Sequence, residues 1–325
     1  MPRVFSGIQP SGVLHVGNYL GAIRNWVAIQ GEHQCIYGVV DYHAITVDYD
    51  KKQMAPRIRE LATGLLACGI DPDKALLFVQ SDVPQHTELA WIFNTVTPMG
   101  ELARQTQFKA KSEQHAENIN VGLFTYPVLQ AADILLYKAS LVPVGNDQEQ
   151  HLELSREIAR KFNARFGKLF PEPRTMFSKT PRIRGLDGKA KMSKSLDNFI
   201  AVDEDAKRLR KKLARAFTDP QRVQRNDPGD PSVCNIFTLH SFFSDAETCH
   251  EIDNACREAK IGCVDCKKKL GDAMVEHFAP IRERWAELRR NPDDVDDVLA
   301  TGAERCRAIA QDTMEQVHKK LGLRR

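Results

Sequence analysis

Residues 4–18 read Val4-Phe-Ser-Gly-Ile8, then Gln9-Pro-Ser-Gly12, then Val13-Leu14-His15-Val16-Gly17-Asn18. An apolar run of five that stops at Pro and Gly predicts a short buried strand. A glycine-containing turn follows it and leads into a helical pattern, Tyr19 to Gln30, with Leu20, Ile23 and Val27 on one face. The same alternation recurs downstream. Cys35-Ile-Tyr-Gly-Val-Val40, Leu76-Leu-Phe-Val-Gln80 and Leu141-Val-Pro-Val144 read as further buried strands. Met54, Ile58, Leu61 and Leu65 form a helical stripe between them, with Asp50 and Gln53 as its expected cap. Strands alternating with amphipathic helices argue an α/β fold with a Rossmann-like, doubly wound parallel sheet. Ligands of such sheets bind at the carboxyl ends of the strands. His15–Asn18, Asp41-Tyr-His43 and Gly145-Asn-Asp-Gln148 each follow a predicted strand, so all three are expected on one rim.

Past about Lys191 the pattern becomes almost wholly helical. Asp203-Glu-Asp205 opens one helix with acids where the macrodipole favours them, and Ala206, Leu209 and Leu213 form its apolar face. Thr218 to Ser232, rich in Asp, Pro and Gly, reads as a loop. The expected organisation is a catalytic α/β domain over 1–185, a second, all-helical domain over 186–299, and a C-terminal helix over 300–325 that rejoins the first domain. A chain of 325 residues is long enough for two such cores.

Composition excludes some classes. With 42% hydrophobic and 27% charged residues, and no apolar run long enough to span a bilayer, the chain reads as globular, with no membrane partner. The N-terminus has neither secretory nor transit character, so a cytoplasmic protein is expected. The net charge of +3 does not announce nucleic acid. The cluster Lys207, Arg208, Arg210, Lys211, Lys212 and Arg215 is more suggestive. It fits either a solvated helix face or a surface that tracks RNA phosphates. Of eight cysteines, five lie between Cys234 and Cys266, while Cys35, Cys68 and Cys306 are scattered as small buried thiols would be.

Lys191-Met-Ser-Lys-Ser195 follows the small loop Gly185-Leu-Asp-Gly-Lys-Ala190. Lysines on so small a loop suit polyphosphate, as mobile point charges with three donors each. This loop and His15-Val-Gly-Asn18 resemble the two ATP-handling motifs of class I aminoacyl-tRNA synthetases. The resemblance extends over the whole chain to the tryptophanyl-tRNA synthetases of bacterial type. It is carried by Phe5-Ser-Gly-Ile-Gln-Pro-Ser-Gly12, His15-Val-Gly-Asn-Tyr-Leu-Gly-Ala22, Val40-Asp-Tyr-His-Ala-Ile-Thr46, Tyr126-Pro-Val-Leu-Gln-Ala-Ala-Asp-Ile-Leu-Leu-Tyr137, Val142-Pro-Val-Gly-Asn-Asp-Gln148 and Lys191–Ser195. Six motifs in the family's order leave little room for chance.

The resemblance implies an ATP site with magnesium accompanying the nucleotide. Gly17 would admit adenosine close to a helix N-terminus, and His15 and Asn18 would donate to phosphate oxygens. Gln9, Pro10, Ser11, Gly145, Asn146, Asp147 and Ile183 would line the same site. Met192, Ser193 and Ser195 would join Lys191 and Lys194 around the pyrophosphate. Lys111 would reach the same phosphates, with a solvated loop lysine as the alternative reading. Catalytic roles are thus expected for His15, Asn18, Lys111, Lys191 and Lys194. The implied reaction is adenylate formation, which needs positioning and cations but no enzyme nucleophile. Transfer of the amino acid to the terminal ribose of tRNA(Trp) would follow.

Tyr126, Gln130 and Asp133 fall at spacings of four and three on one helix face. Asp133 is expected to accept the indole N–H of tryptophan, a donor-only group. Phe5, Gly7, His43, Val142, Val144 and Gln148 would complete the pocket. Tyrosyl enzymes resemble the same Tyr…Gln…Asp pattern, and Gln130 stands where many tryptophanyl enzymes have methionine, so tyrosine charging is the nearest alternative. A non-catalytic nucleotide- or RNA-binding paralogue is the alternative of another class.

Cys234, Cys256, Cys263 and Cys266 stand as C-x21-C-x6-C-x2-C. Four such thiolates suit a [4Fe-4S] cluster or Zn2+. The chain resembles a subset of the family with a cluster on similar spacing in the anticodon-binding domain. Cys249 is left over and could replace Cys234. Family members are commonly homodimers that bind tRNA and not DNA.

Overall fold

The computed structural model describes residues 1–105, 118–145, 149–177 and 183–323. Five strands form one sheet: β1 (Arg3–Ile8), β2 (Gln34–Val39), β3 (Ala75–Val79), β4 (Leu141–Val144) and β5 (Arg174–Phe177), in the order β3-β2-β1-β4-β5. Every pairing is parallel, with Val4 opposite both Cys35 and Leu141. The order reverses at β1, so the chain winds outward in both directions from its first strand. This is the expected doubly wound parallel sheet. β5 was not legible, because Arg174-Thr-Met-Phe177 lacks the unbroken apolar run of the inner strands.

The chain divides into two compact units. The first comprises Met1–Gly12, Arg24–Lys179 and Leu288–Arg325, and the second Val13–Ile23 and Thr180–Glu287. In the first unit, the helices Gln85–Asn94, Val121–Leu136 and Glu149–Phe166 cover the sheet over a core that includes Phe5, Phe78, Phe93, Phe162 and Tyr137. Each such fully buried aromatic contributes roughly 1.5–3 kcal/mol of transfer free energy. Pro292–Leu321 packs on β3 at Gly302, where an added Cβ would meet the Leu77 carbonyl oxygen. Among the described residues, no helix is long and apolar enough to cross a membrane.

The second unit is mainly helical: Ala206–Ala214, Asn235–Phe243, Ala246–Arg257 and most of Cys263–Arg290. Its core includes Leu209, Leu213, Ile236, Leu239, Leu270, Met274 and Phe278. The first of these helices is capped by Asp205, whose carboxylate accepts from the N–H groups of Lys207 and Arg208, both at 3.0 Å.

Two local expectations are corrected. The helix expected from Tyr19 starts at Val16, passes through a π-helical turn over Tyr19–Ile23 and resumes at Arg24–Ile29. The extra residue per turn rotates the buried face, so Trp26 is buried and Val27 only half-buried. Asp50 caps Lys51–Ala67 by accepting from Lys52 N–H at 2.9 Å, and no side-chain bond from Gln53 closes a capping box there.

Candidate functional site

In the first unit, parallel topology places the ends of β1, β2, β3 and β4 on one rim, and they lead into Gln9, Asp41, Gln80 and Gly145. Below that rim, Asp133 sits in the last turn of Val121–Leu136 with 2% of its surface exposed. A carboxylate so buried must be compensated. Three side chains do this. His43 Nε2 donates to Oδ2 at 2.8 Å, His86 Nδ1 to Oδ1 at 2.6 Å and Gln80 Nε2 to Oδ1 at 2.7 Å. Burial by itself pushes the Asp133 carboxyl up. The charge and hydrogen bond of His43, then those of His86, outweigh it and hold the group at about 2. Asp133 is therefore an acceptor only, with one of about four lone-pair sites still to fill.

His43 lies edge-on to Tyr126, with ring centroids 6.3 Å apart. The Tyr126 hydroxyl is 3.0 Å from His151 Nε2, and His151 Nδ1 is 3.1 Å from Gln105 Oε1. The Gln105 oxygen only accepts, so His151 Nδ1 carries a proton. Burial pushes the Tyr126 phenol up to about 12.

The other expected pocket residues divide. Phe5 stacks on Tyr137 at 5.6 Å and is core, as is Val142. Gly7 is exposed, and a Cβ there would meet Val40 Cγ1 at 2.7 Å. Val144 and Gln130 are half-buried. Gln9 is half-buried, Pro10 buried and Ser11 exposed in the turn after β1, where Ser11 N–H donates to Gln9 O at 2.8 Å. Gly145 is exposed at the end of β4. Lys111, Asn146, Asp147 and Gln148 lie outside the described residues.

The second unit brings His15–Asn18 together with the lysine loop. His15 is the N-cap of Val16–Asn18, and a reciprocal pair of bonds closes a capping box. Nδ1 accepts from Asn18 N–H at 3.2 Å, and Asn18 Oδ1 accepts from His15 N–H at 3.2 Å. Burial, then the positive charges of Lys194 and Lys191, lower the His15 imidazole to about 4. The ring is therefore neutral at pH 7, with its proton on Nε2. The stretch around His15 is bridged to the chain that follows the loop: Val16 N–H donates to Ile200 O at 2.9 Å and Val202 N–H to Leu14 O at 3.0 Å. Gly17 faces Met192, and a Cβ there would lie 3.3 Å from Met192 Cβ and 3.0 Å from His15 Nδ1.

The loop itself is a tight excursion from buried Ile183 to buried Met192, joined by Met192 N–H to Ile183 O at 3.1 Å. Asn198 latches it. Its Oδ1 accepts from Ser193 N–H at 2.8 Å, and its Nδ2 donates to Asp187 Oδ2 at 3.0 Å and Lys191 O at 3.3 Å. Lys191 and Ser195 are exposed, Lys194 and Ser193 half-buried, and the two serine hydroxyls are 3.1 Å apart. The arrangement presents two lysines and an imidazole N–H. These are donors suited to polyphosphate oxygens.

A cleft of about 480 Å³ nearby in the second unit is lined by Phe199, Arg208, Lys211, Lys212 and Arg215, with Asp187 and Asp197 also on its wall. The basic run is partly committed within the fold. Lys212 and Arg208 pair with Glu204 at 2.5 and 3.2 Å, and Arg210 with Asp272 at 2.9 Å.

The cysteines separate into a quartet and an outsider. Burial, then the charges of Cys234, Cys256 and Cys263, push the Cys266 thiol up to about 12. Cys234 and Cys256 are raised for the same reasons, burial leading. Arg222 donates to Cys256 Sγ at 3.6 Å, and His240 Nε2 lies 3.6 Å from Cys266 Sγ. Cys249 bonds instead to His240 O at 3.4 Å. Among the described residues, no group of three or more His, Cys, Asp or Glu is close enough to hold a metal ion. Burial favours the thiol form of Cys234, Cys256 and Cys266, and the four cysteines of the expected metal centre do not stand in metal-bonding geometry.

Sequence reasoning missed Gln80, His86, Gln105, His151 and Asn198. None carries a motif, and each is recruited by a partner at least five positions away in the chain.

The model of the class I tRNA synthetases for tryptophan and tyrosine (W and Y) matches residues 1–279. The tryptophan–tRNA ligase of Deinococcus radiodurans is 51% identical over 327 residues, covering 99% of this chain and 99% of the relative. That of Thermotoga maritima is 44% identical over 326 residues, with 99% of each chain covered. The crystal structure of tryptophanyl-tRNA synthetase from Campylobacter jejuni, complexed with ADP and tryptophan, superimposes with a TM-score of 0.88 at 38% identity, covering 99% of this chain and 100% of that one. With the buried carboxylate of Asp133 and the lysine loop beside His15 in place, the chain belongs to the class I tRNA synthetases, within the tryptophan–tRNA ligases.

Proposed function

We propose that this chain activates L-tryptophan with ATP and then charges tRNA(Trp). The observation that carries the choice of amino acid is Asp133, a buried carboxylate held ionised by His43 and His86 and able to take one more donor. An indole N–H supplies one donor and asks for nothing back. The tryptophan carboxylate attacks the α-phosphorus of ATP, and pyrophosphate leaves. His15 donates its Nε2 proton to a phosphate oxygen as a hydrogen bond, and Lys191 and Lys194 hold the departing phosphates. The Asn18 amide and Gly17 N–H belong to the same cradle. Magnesium accompanies ATP and screens the phosphate charge. No side chain becomes covalently attached.

Gln9, Pro10, Ser11, Gly145 and Ile183 line the nucleotide site. Phe5, Gly7, His43, Tyr126, Gln130, Val142 and Val144 surround the amino acid. The α/β part is the catalytic domain and the helical part reads the tRNA, with Arg208, Lys211, Lys212 and Arg215 offered to RNA phosphates. The enzyme acts as a cytoplasmic homodimer. Cys234, Cys256, Cys263 and Cys266 hold a [4Fe-4S] cluster, with zinc as second choice. Their support is the C-x21-C-x6-C-x2-C spacing and the mutual electrostatic influence of the four thiols. The donors fit in kind, and Arg222, which donates to Cys256 Sγ at 3.6 Å, would supply a compensating charge for thiolates.

ATP–pyrophosphate exchange driven by tryptophan, tyrosine and phenylalanine tests the assignment. Exchange with tryptophan alone supports it, and preference for tyrosine overturns it. Anaerobic purification with iron and sulfide analysis tests the cluster. Stoichiometric zinc, or no metal at all, would sink that part alone.

A further inference from the structure

Around Asp133 lies a layer of buried polar groups that the reaction does not use. His86 is fully buried at the start of Gln85–Asn94. Its Nδ1 is 2.6 Å from Asp133 Oδ1, and its Nε2 is 2.7 Å from the Tyr137 hydroxyl. An ionised carboxylate only accepts, so Nδ1 carries a proton, and Nε2 bonds with the Tyr137 hydroxyl. The Cys306 thiol on Pro292–Leu321 lies beside the Tyr137 hydroxyl. Phe78 stacks on the His86 ring at 5.6 Å and excludes water from it. Gln80 is also fully buried and is locked at both ends. Its Nε2 donates to Asp133 Oδ1 at 2.7 Å, while its Oε1 accepts from Tyr42 N–H at 3.1 Å.

This layer has two consequences for ligand choice. The first is aim. Two donors on Oδ1 and one on Oδ2 prevent the carboxylate from rotating, so its remaining acceptor site has one direction. The second is rejection. A phenol that donates to Asp133 brings a buried oxygen that needs a donor of its own. Among the described residues, the donors grouped on the carboxylate are His43 Nε2, His86 Nδ1 and Gln80 Nε2, and all are already committed to it. A buried acceptor left unsatisfied costs enough to lower affinity by about ten- to a hundredfold. The indole N–H leaves no such oxygen.

We infer that His86, supported by Tyr137 and working with Gln80, is a positioning residue that makes Asp133 discriminate a donor-only indole from a phenol. It does so without touching the substrate. The inference rests on Asp133 being the group that receives the amino-acid side chain.

The test is ATP–pyrophosphate exchange with tryptophan and tyrosine, using wild type, His86→Leu, His86→Asn, Tyr137→Phe and Asp133→Asn, with melting temperature measured for each. His86→Leu is expected to raise the tryptophan KM at least tenfold, leave kcat within about threefold, and narrow the tryptophan-to-tyrosine ratio of kcat/KM at least tenfold. His86→Asn, whose amide nitrogen replaces Nδ1, should restore most of the tryptophan KM and the ratio. Tyr137→Phe, which keeps the ring and its packing, should move both in the direction of His86→Leu by a few-fold. An unchanged ratio in His86→Leu and Tyr137→Phe, whatever their stability, overturns the inference. Equal losses in kcat and KM that His86→Asn does not rescue reduce His86 to a packing residue and overturn it as well. If Asp133→Asn leaves the tryptophan KM unchanged, the underlying assignment of Asp133 fails first, and the two failures are thereby told apart.

Discussion

His15 and Asn18 hold each other by two reciprocal backbone-to-side-chain bonds of 3.2 Å, so the imidazole caps the helix and keeps a second nitrogen for the phosphate contact proposed above. Capping uses Nδ1 and leaves the proton on Nε2. The two readings of this histidine are therefore met by different nitrogens of one ring.

The His15 ring should titrate near pH 4 by NMR, against about 6.5 for a free histidine. Its pKa is depressed in the folded state, so the unfolded chain binds the proton first as pH falls. Stability is lost from about pH 6.5 downward and the loss levels off below about 4. Asp133, held at about 2, adds a second loss between its unfolded value near 3.9 and about 2. His15→Asn should flatten the first window of melting temperature against pH and keep the second. His15→Ala should lower kcat/KM for ATP by about a hundredfold, as expected for removal of a preorganised donor.

Gly17→Ala should weaken ATP. The new Cβ would press on the His15 ring at 3.0 Å and on Met192 Cβ at 3.3 Å, displacing the donor and the loop together. A rise in ATP KM of about tenfold with a stability loss of about 1 kcal/mol is expected. The tryptophan KM should not move, and parallel exchange titrations of the two substrates check this.

Asn198→Ala removes three bonds that hold the lysine loop, to Ser193 N, Asp187 Oδ2 and Lys191 O. Losing a buried, fully bonded amide is expected to cost about 1–3 kcal/mol. The loop should open ahead of the rest of the fold. Limited trypsin digestion should cut after Lys191 or Lys194 several-fold faster than in wild type, and the ATP KM should rise.

Gly302→Ala tests the seating of the C-terminal helix. A methyl group there would meet the Leu77 carbonyl on β3, a backbone atom that cannot yield without moving the strand. A destabilisation of about 3 kcal/mol is expected by chemical denaturation, with the m-value unchanged.

The inner strands and the helical stripe at Met54–Leu65 were legible because a buried parallel strand is a short apolar run and an amphipathic helix repeats every three to four residues. β5 escaped because its residues carry no such run. The π-helical turn at Tyr19–Ile23 escaped because an i→i+5 bond leaves no trace in a 3.6-residue pattern. At the site, Asp133, His43, Tyr126, His15 and the lysines could be named from motifs. Their supports could not. Gln80 and His86 stand 53 and 47 positions from Asp133, and nothing local distinguishes them from other polar residues.

The sequence by itself determined the parallel α/β plan, which follows from periodicity, and it named the two proposed phosphate motifs and the proposed pocket carboxylate through their resemblance to a known family. Tertiary structure alone decided which lone pairs and protons remain for a ligand. His15 keeps its proton on Nε2 because Asn18 occupies Nδ1 and burial, then the charges of two lysines, keep the ring neutral. Asp133 keeps one acceptor site because three distant side chains fill the others. The physical reason is that hydrogen bonds are short and saturable. Which groups fill each other is fixed only when packing brings their atoms within about 3 Å.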